Sequence, residues 1–233
     1  MKRILSFPIA VALLAGASSG PIVPNEQLTY AINWPSGLNL GESRLHGALL
    51  PASEGSKEHM SFGFDLDAAV PGFSVVDKFS ATAAGNFCST EFDKNTRHGQ
   101  KRAEETTTFD PQASTATRET KGGGQTKLDT GACAKDALTY LYYVRHELSQ
   151  GRLPQPATVY FGAPYQIQLE FVGTEGIRLG EQAAVQADHL TGLVKGPSSE
   201  THFDIYFLKD SSRTPALVKV PFSLGTFSME LVK

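Results

Sequence analysis

Apolar and polar residues alternate with a period of two along most of this chain, and that pattern leaves few folds open. Leu28, Tyr30, Ile32 and Trp34 interleave with Thr29, Ala31 and Asn33, and Met60, Phe62, Phe64 and Leu66 interleave with Ser61, Gly63 and Asp65. Successive strand side chains point to opposite faces, so this alternation predicts a sheet with one buried face. Further strands are read at Phe73 to Thr82 and Phe87 to Phe92. Arg102 to Phe109 and Ala113 to Thr120 form a threonine-rich hairpin turning near Asp110-Pro111. The pattern resumes at Val159 to Phe161, Tyr165 to Phe171, Val185 to Val194, Phe203 to Phe207, Leu217 to Phe222 and Phe227 to Val232.

One segment breaks the rule. From Ala134 to Gln150 the apolar positions Ala137, Leu138, Leu141, Tyr142, Val144, Leu148 and the stem of Arg145 follow helical spacing, with Gly151 placed to stop the helix. A helix with an apolar stripe must bury it, and the surface on offer is the sheet. The expected fold is therefore mainly β: a strongly curved antiparallel sheet, or partly open β-barrel, of about ten strands with one packed α-helix. No repeat or boundary divides the chain, so residues 18–233 are read as a single β-rich domain.

The first residues carry a message about compartment. Lys2 and Arg3 precede the apolar run Ile4 to Leu14, followed by the small residues Ala15, Gly16, Ala17, Ser18 and Ser19. This is the layout of a secretory signal peptide, residues 1–17, and an 11-residue apolar run is too short to cross a bilayer as a helix. Removing 17 of the 233 residues leaves 216, and losing Lys2 and Arg3 takes the formal charge from -3 to -5. The expected location is periplasmic or extracellular, in the cell envelope. A net acidic chain lacks the basic footprint of a nucleic-acid binder.

The chain has two cysteines, Cys88 and Cys133. An even count in an oxidising compartment favours a disulfide between them. The alternative is a reactive thiol at Cys133, just ahead of the helix, but no C-x-x-C spacing accompanies it.

Motifs for catalysis fail on their spacing. Gly122-Gly123-Gly124-Gln125-Thr126-Lys127 lacks the lysine directly after the last glycine that a phosphate loop requires, and reads instead as a turn before the helix. Gly72-Phe73-Ser74-Val75-Val76 lacks the second glycine of a nucleophile elbow. His189 and His202 sit on separate strands without a third metal ligand. The cluster Lys94, Arg97, His98, Lys101 and Arg102 could meet anionic headgroups, but reads as a solvated loop balanced by Glu104 and Glu105. Asp136, Arg145, Asp210 and Arg213 are read as structural: Asp136 in the first helical turn, Arg145 on the opposite side of the helix, Asp210 and Arg213 paired across a turn. No catalytic residue, cofactor or metal site is assigned.

Three segments together resemble a known family: Asp136-Ala137-Leu138-Thr139-Tyr140-Leu141-Tyr142-Tyr143-Val144-Arg145, Asp210-Ser211-Ser212-Arg213-Thr214-Pro215, and the closing run Phe222 to Leu231. They are similar to exported bacterial proteins grouped as domain of unknown function 3108. The resemblance implies a β-rich envelope protein and implies no activity. A looser architectural similarity is to the half-barrels that carry lipoproteins by their acyl chains.

With 14 phenylalanines and 7 tyrosines among the strands and one helix to cover them, apolar surface should remain open. The functional expectation is a non-catalytic envelope protein that binds a hydrophobic small molecule, a lipid or acyl chain, with Trp34, Phe62, Phe64, Tyr165 and Phe203 as lining residues. The alternatives are a structural or assembly partner of an envelope protein complex, and a hydrolase with an unrecognised motif.

Overall fold

A computed structural model describes residues 25–51, 59–70, 72–223 and 225–232. Residues 1–17, read from the sequence as a signal peptide, lie outside the described residues. Eight strands come first: β1 (Glu26–Asn33), β2 (Asn39–Leu50), β3 (His59–Val70), β4 (Phe73–Ala84), β5 (Ser89–His98), β6 (Lys101–Asp110), β7 (Thr115–Thr120) and β8 (Gln125–Asp129). The short β9 (Lys135–Asp136) leads into helix α1 (Ala137–Ser149). Six strands follow: β10 (Ala157–Tyr160), β11 (Pro164–Ile177), β12 (Val185–Lys195), β13 (Glu200–Leu208), β14 (Pro215–Phe222) and β15 (Gly225–Leu231).

All fifteen form one sheet in the order β8-β7-β6-β5-β4-β3-β2-β1-β15-β14-β13-β12-β11-β10-β9. The sheet is wound from hairpins, and its centre is the pairing of the first strand with the last, Tyr30 opposite Leu231. The expectation of a mainly β fold with one helix holds among the described residues, but the strands there number fifteen, not about ten. β2 escaped because its inward positions include Ser43 and Gly47 beside Leu45, so its alternation is not apolar. β8 is a polar, mostly exposed edge, and β9 has only two residues. The sheet is also not wholly antiparallel, since β9 and β10 pair in parallel with α1 as the crossover between them.

The sheet curls so that its ends approach. Cys88, between β4 and β5, is joined by a disulfide to Cys133, just before β9. Beside the bridge, Ser89 N donates to Ala134 O at 2.9 Å. From the other wing, Phe161 inserts its ring edge-on against Phe79 at 5.0 Å, and Tyr160 Oη donates to Asp129 O at 3.2 Å.

Helix α1 lies inside this curl. Asp136 caps its start: Oδ1 accepts from Leu138 N at 2.8 Å and Thr139 N at 3.0 Å, while Oδ2 accepts from the hydroxyls of Ser89 and Thr139. Burial pushes the Asp136 carboxyl up from the usual carboxylate range, and those four donors oppose the shift. Gly151, at φ +70°, ends the helix in the left-handed region. One side of α1 packs on Tyr30, Leu45, Phe62, Ala81 and Phe92, and the other on Val159, Leu169, Leu190 and Phe207. Gly47 makes room for this docking, because a Cβ there would lie 2.6 Å from the Tyr142 ring.

The lengths of these elements decide what stays open. Strands β2, β3 and β4 each have 12 residues, about 40 Å of extended chain. The helix has 13 residues, about 20 Å. A rod half the length of its strands covers only one end of their concave face. Tyr142 and Arg145 tie it to the end where β1 begins, through Glu26.

Candidate functional site

The uncovered end of the concave face is an apolar cleft of about 700 Å³. Its walls come from β1 and the residue that follows it, and from β3, β14 and β15: Trp34, Phe64, Leu66, Val220, Phe227 and Met229 all face it. Alternation places them there, since they continue the inward series that the helix buries farther along, Tyr30 on β1 and Phe62 on β3. Cross-strand pairing then aligns the rows, with Ile32 opposite Met229 and Val218 opposite Met229 on its other side. The volume falls within the range typical of small-molecule sites, roughly 300–1,000 Å³.

The aromatic walls are mutually braced. Trp34 stands edge-on to Phe227 at 4.8 Å, and Phe222 meets Phe227 at 5.3 Å in the same manner. Ser223, Ser228 and His98 interrupt the apolar lining. His98, at the end of β5, lines the cleft and holds its Nε2 2.8 Å from Asp77 Oδ1 on β4. An apolar trough with a few polar groups suits a molecule with a long apolar part and a polar end.

Of the five residues expected to line a ligand site, the structure gathers Trp34 and Phe64 in the cleft. Phe62 lies on the same face but is only 1% exposed, stacked beneath Tyr142 at 4.2 Å. Tyr165 on β11 covers Gly196, and Phe203 on β13 covers Gly192, so both pack on the other wing away from the cleft. The sequence reading missed Val218, Val220, Phe227 and Met229, although it placed strands there. Their signal was the alternation in the two terminal strands, and what hid it was the pairing of β15 with β1 across nearly the whole chain.

Other expectations change in detail. Residues Gly122 to Gly124 turn β7 into β8 rather than leading into the helix. Asp210 and Arg213 do not pair with their side chains: Asp210 accepts from Thr214 N and Oγ1, and Arg213 Nη1 donates to Asp188 Oδ2 at 2.7 Å. Asp136 is the cap preceding α1, not a member of its first turn. Arg145 buries its guanidinium as well as its stem, 2% exposed, against Glu26. His189 is held by Glu175 and Asp204, away from His202, and among the described residues no group of three or more His, Cys, Asp or Glu side chains is placed to hold a metal ion. The basic cluster is not a loop but the tip and flanks of the β5–β6 hairpin, and of the two acids expected to balance it only Glu105 meets a member of the cluster. Glu105 pairs with Lys94 at 3.0 Å and Glu104 with Lys121 at 2.7 Å. No helix among the described residues is long and apolar enough to cross a membrane.

Comparisons with known proteins agree with this architecture. A crystal structure described as a β-barrel-like protein of domain of unknown function DUF1849, from Brucella abortus, superposes with a TM-score of 0.59 at 9% identity. The match covers 89% of this chain and 95% of that one, a likeness of fold alone. No curated protein matches the chain. The model of one family, described as protein of unknown function (DUF3108), matches residues 29–232, from the first strand to the last, and the chain belongs to that family.

Proposed function

We propose that this protein is an exported, non-catalytic binder of a hydrophobic ligand, a lipid or other acyl-chain amphiphile, taken up in the open end of the half-barrel. The observation that carries the reading is the 700 Å³ apolar cleft left by a helix too short for its strands. Burial of an alkyl chain against such a surface is favourable by about 0.8 kcal/mol per methylene. The pair His98 and Asp77 at the margin offers a polar group to the ligand's head. Export is supported by the leader-like residues 1–17 and by the Cys88–Cys133 bridge, which persists in oxidising compartments.

Organic extraction of the purified full chain, followed by lipid mass spectrometry, tests the reading. A co-purifying amphiphile in near-stoichiometric amount is the expected result. An extract no richer in amphiphiles than that of an unrelated protein purified in parallel contradicts it.

A further inference from the structure

The hairpin tips around the mouth of the cleft carry a second message, independent of what the cleft holds. Neighbouring antiparallel strands alternate in direction, so the β1–β2, β3–β4, β5–β6 and β14–β15 turns all lie on one rim. Two of them present large apolar side chains to solvent: Leu38 is 62% exposed and Phe222 is 60% exposed. These two tips abut, since a Cβ on Gly225 would meet Pro35 at 2.7 Å.

The β5–β6 tip on the same rim is basic. Between Asn95 and Ala103 the chain carries Arg97, Lys101 and Arg102 and no acid. All three are exposed, and among the described residues none of them forms an ion pair, because Glu104 and Glu105 are engaged with Lys121 and Lys94. Arg97 and Arg102 moreover stand directly opposite each other across the hairpin. Like charges in that register repel, a cost that an external anion would relieve. The whole chain has a formal charge of -3, so this local excess of cations runs against the average and orients the molecule toward any anionic surface.

We propose that this rim docks on the surface of an anionic lipid bilayer, with Leu38 and Phe222 entering the interface and Arg97, Lys101 and Arg102 meeting the headgroups. Apolar side chains that dip into the boundary, flanked by cations, are the general recipe for binding in the plane of a membrane surface. Docked in this way, the protein would hold its cleft open to the bilayer. A partner protein would not require the exposed apolar tips and the cations to share one rim with the mouth of an apolar cleft.

The test is co-sedimentation of the full chain with vesicles of phosphatidylglycerol and phosphatidylcholine, against vesicles of phosphatidylcholine alone. Binding to the anionic vesicles is expected, weakening steeply with added salt. The double variant Arg97→Gln/Arg102→Gln should lower partitioning about 30-fold, roughly fivefold for each arginine. Leu38→Ser should weaken it further, whereas Arg178→Gln on the opposite rim should leave it unchanged. Equal sedimentation with both kinds of vesicle, no sedimentation with either, or an equal loss in Arg178→Gln would overturn the proposal. Binding of a fluorescent fatty acid by the double variant, whose substitutions lie outside the cleft, reports on the cleft alone, so failure of docking and failure of ligand binding are read separately.

Discussion

Replacing Glu26 with alanine is expected to lower the unfolding free energy by about 3–5 kcal/mol, the loss usual when one partner of a buried ion pair is removed. Arg145 reaches from α1 to the start of β1, where its side chain is 2% exposed. Both Glu26 carboxylate oxygens accept from its guanidinium, Nη2 at 3.0 Å and Nη1 closer still. Its Nε donates to Ser212 O at 3.0 Å, and the guanidinium lies 4.8 Å from the centre of the Tyr142 ring. Tyr142 Oη also donates to Glu26 at 3.1 Å, and burial, with the nearby carboxylate, pushes that phenol well above its ordinary range. Without Glu26, a cation would remain in the core with one carbonyl and a ring for company. The double variant Glu26→Ala/Arg145→Met removes both charges and should recover much of the loss. Urea unfolding of the three proteins checks this. A cost below about 1 kcal/mol for Glu26→Ala would mean that the guanidinium reaches water and that the helix is not fixed at this end.

The second large effect concerns the seam. Cys88 and Cys133 are separated by 45 residues, and opening that loop should destabilise the protein by about 4 kcal/mol in the chain-entropy model. The bridge ties the β4–β5 connection to the segment that enters β9 and α1, so it fastens the helix start to the first wing. Hydrogen bonds from Ser89 to Ala134 and Asp136 cross the same seam and should keep the reduced protein folded under mild conditions. Unfolding free energies from urea titrations with and without dithiothreitol should differ by this amount. The double variant Cys88→Ala/Cys133→Ala should match the reduced protein and ignore the reductant. Coincident midpoints would show that the seam holds without the bridge.

Much of this architecture is legible from period alone. Trp34, Phe64 and their neighbours alternate clearly, and the helix from Ala137 is announced by its change of period and closed by Gly151. What stays hidden follows from where the information lies. Ser43 and Gly47 face inward on β2 because Tyr142 and its neighbours need the space, so a core-facing strand carries no apolar signature. Arg145 reads as an amphipathic residue with its head in water, since its partner Glu26 lies 119 residues away. The cleft was legible as a surplus of aromatic residues but not as a place. Tyr165 and Phe203 alternate as well as Trp34 does, and only the pairing order of fifteen strands shows which rows the helix leaves uncovered. That Glu105 balances Lys94 while, among the described residues, Arg97, Lys101 and Arg102 are left without an ion pair is hidden because cross-strand partners cannot be read along the chain.

The open end of the half-barrel is proposed to hold an apolar molecule, and fluorescent fatty acid titration of the wild type and Leu66→Arg tests this most directly. Leu66 faces the cleft and is only partly buried, so the arginine can be accommodated, opposite Asp77 on β4, while placing a bulky charged group among the ligand's apolar contacts. Saturable binding by the wild type, weakened more than tenfold in a variant with an unchanged circular dichroism spectrum, is the predicted result. No saturable binding by the wild type, or equal affinity in the two proteins, would contradict it.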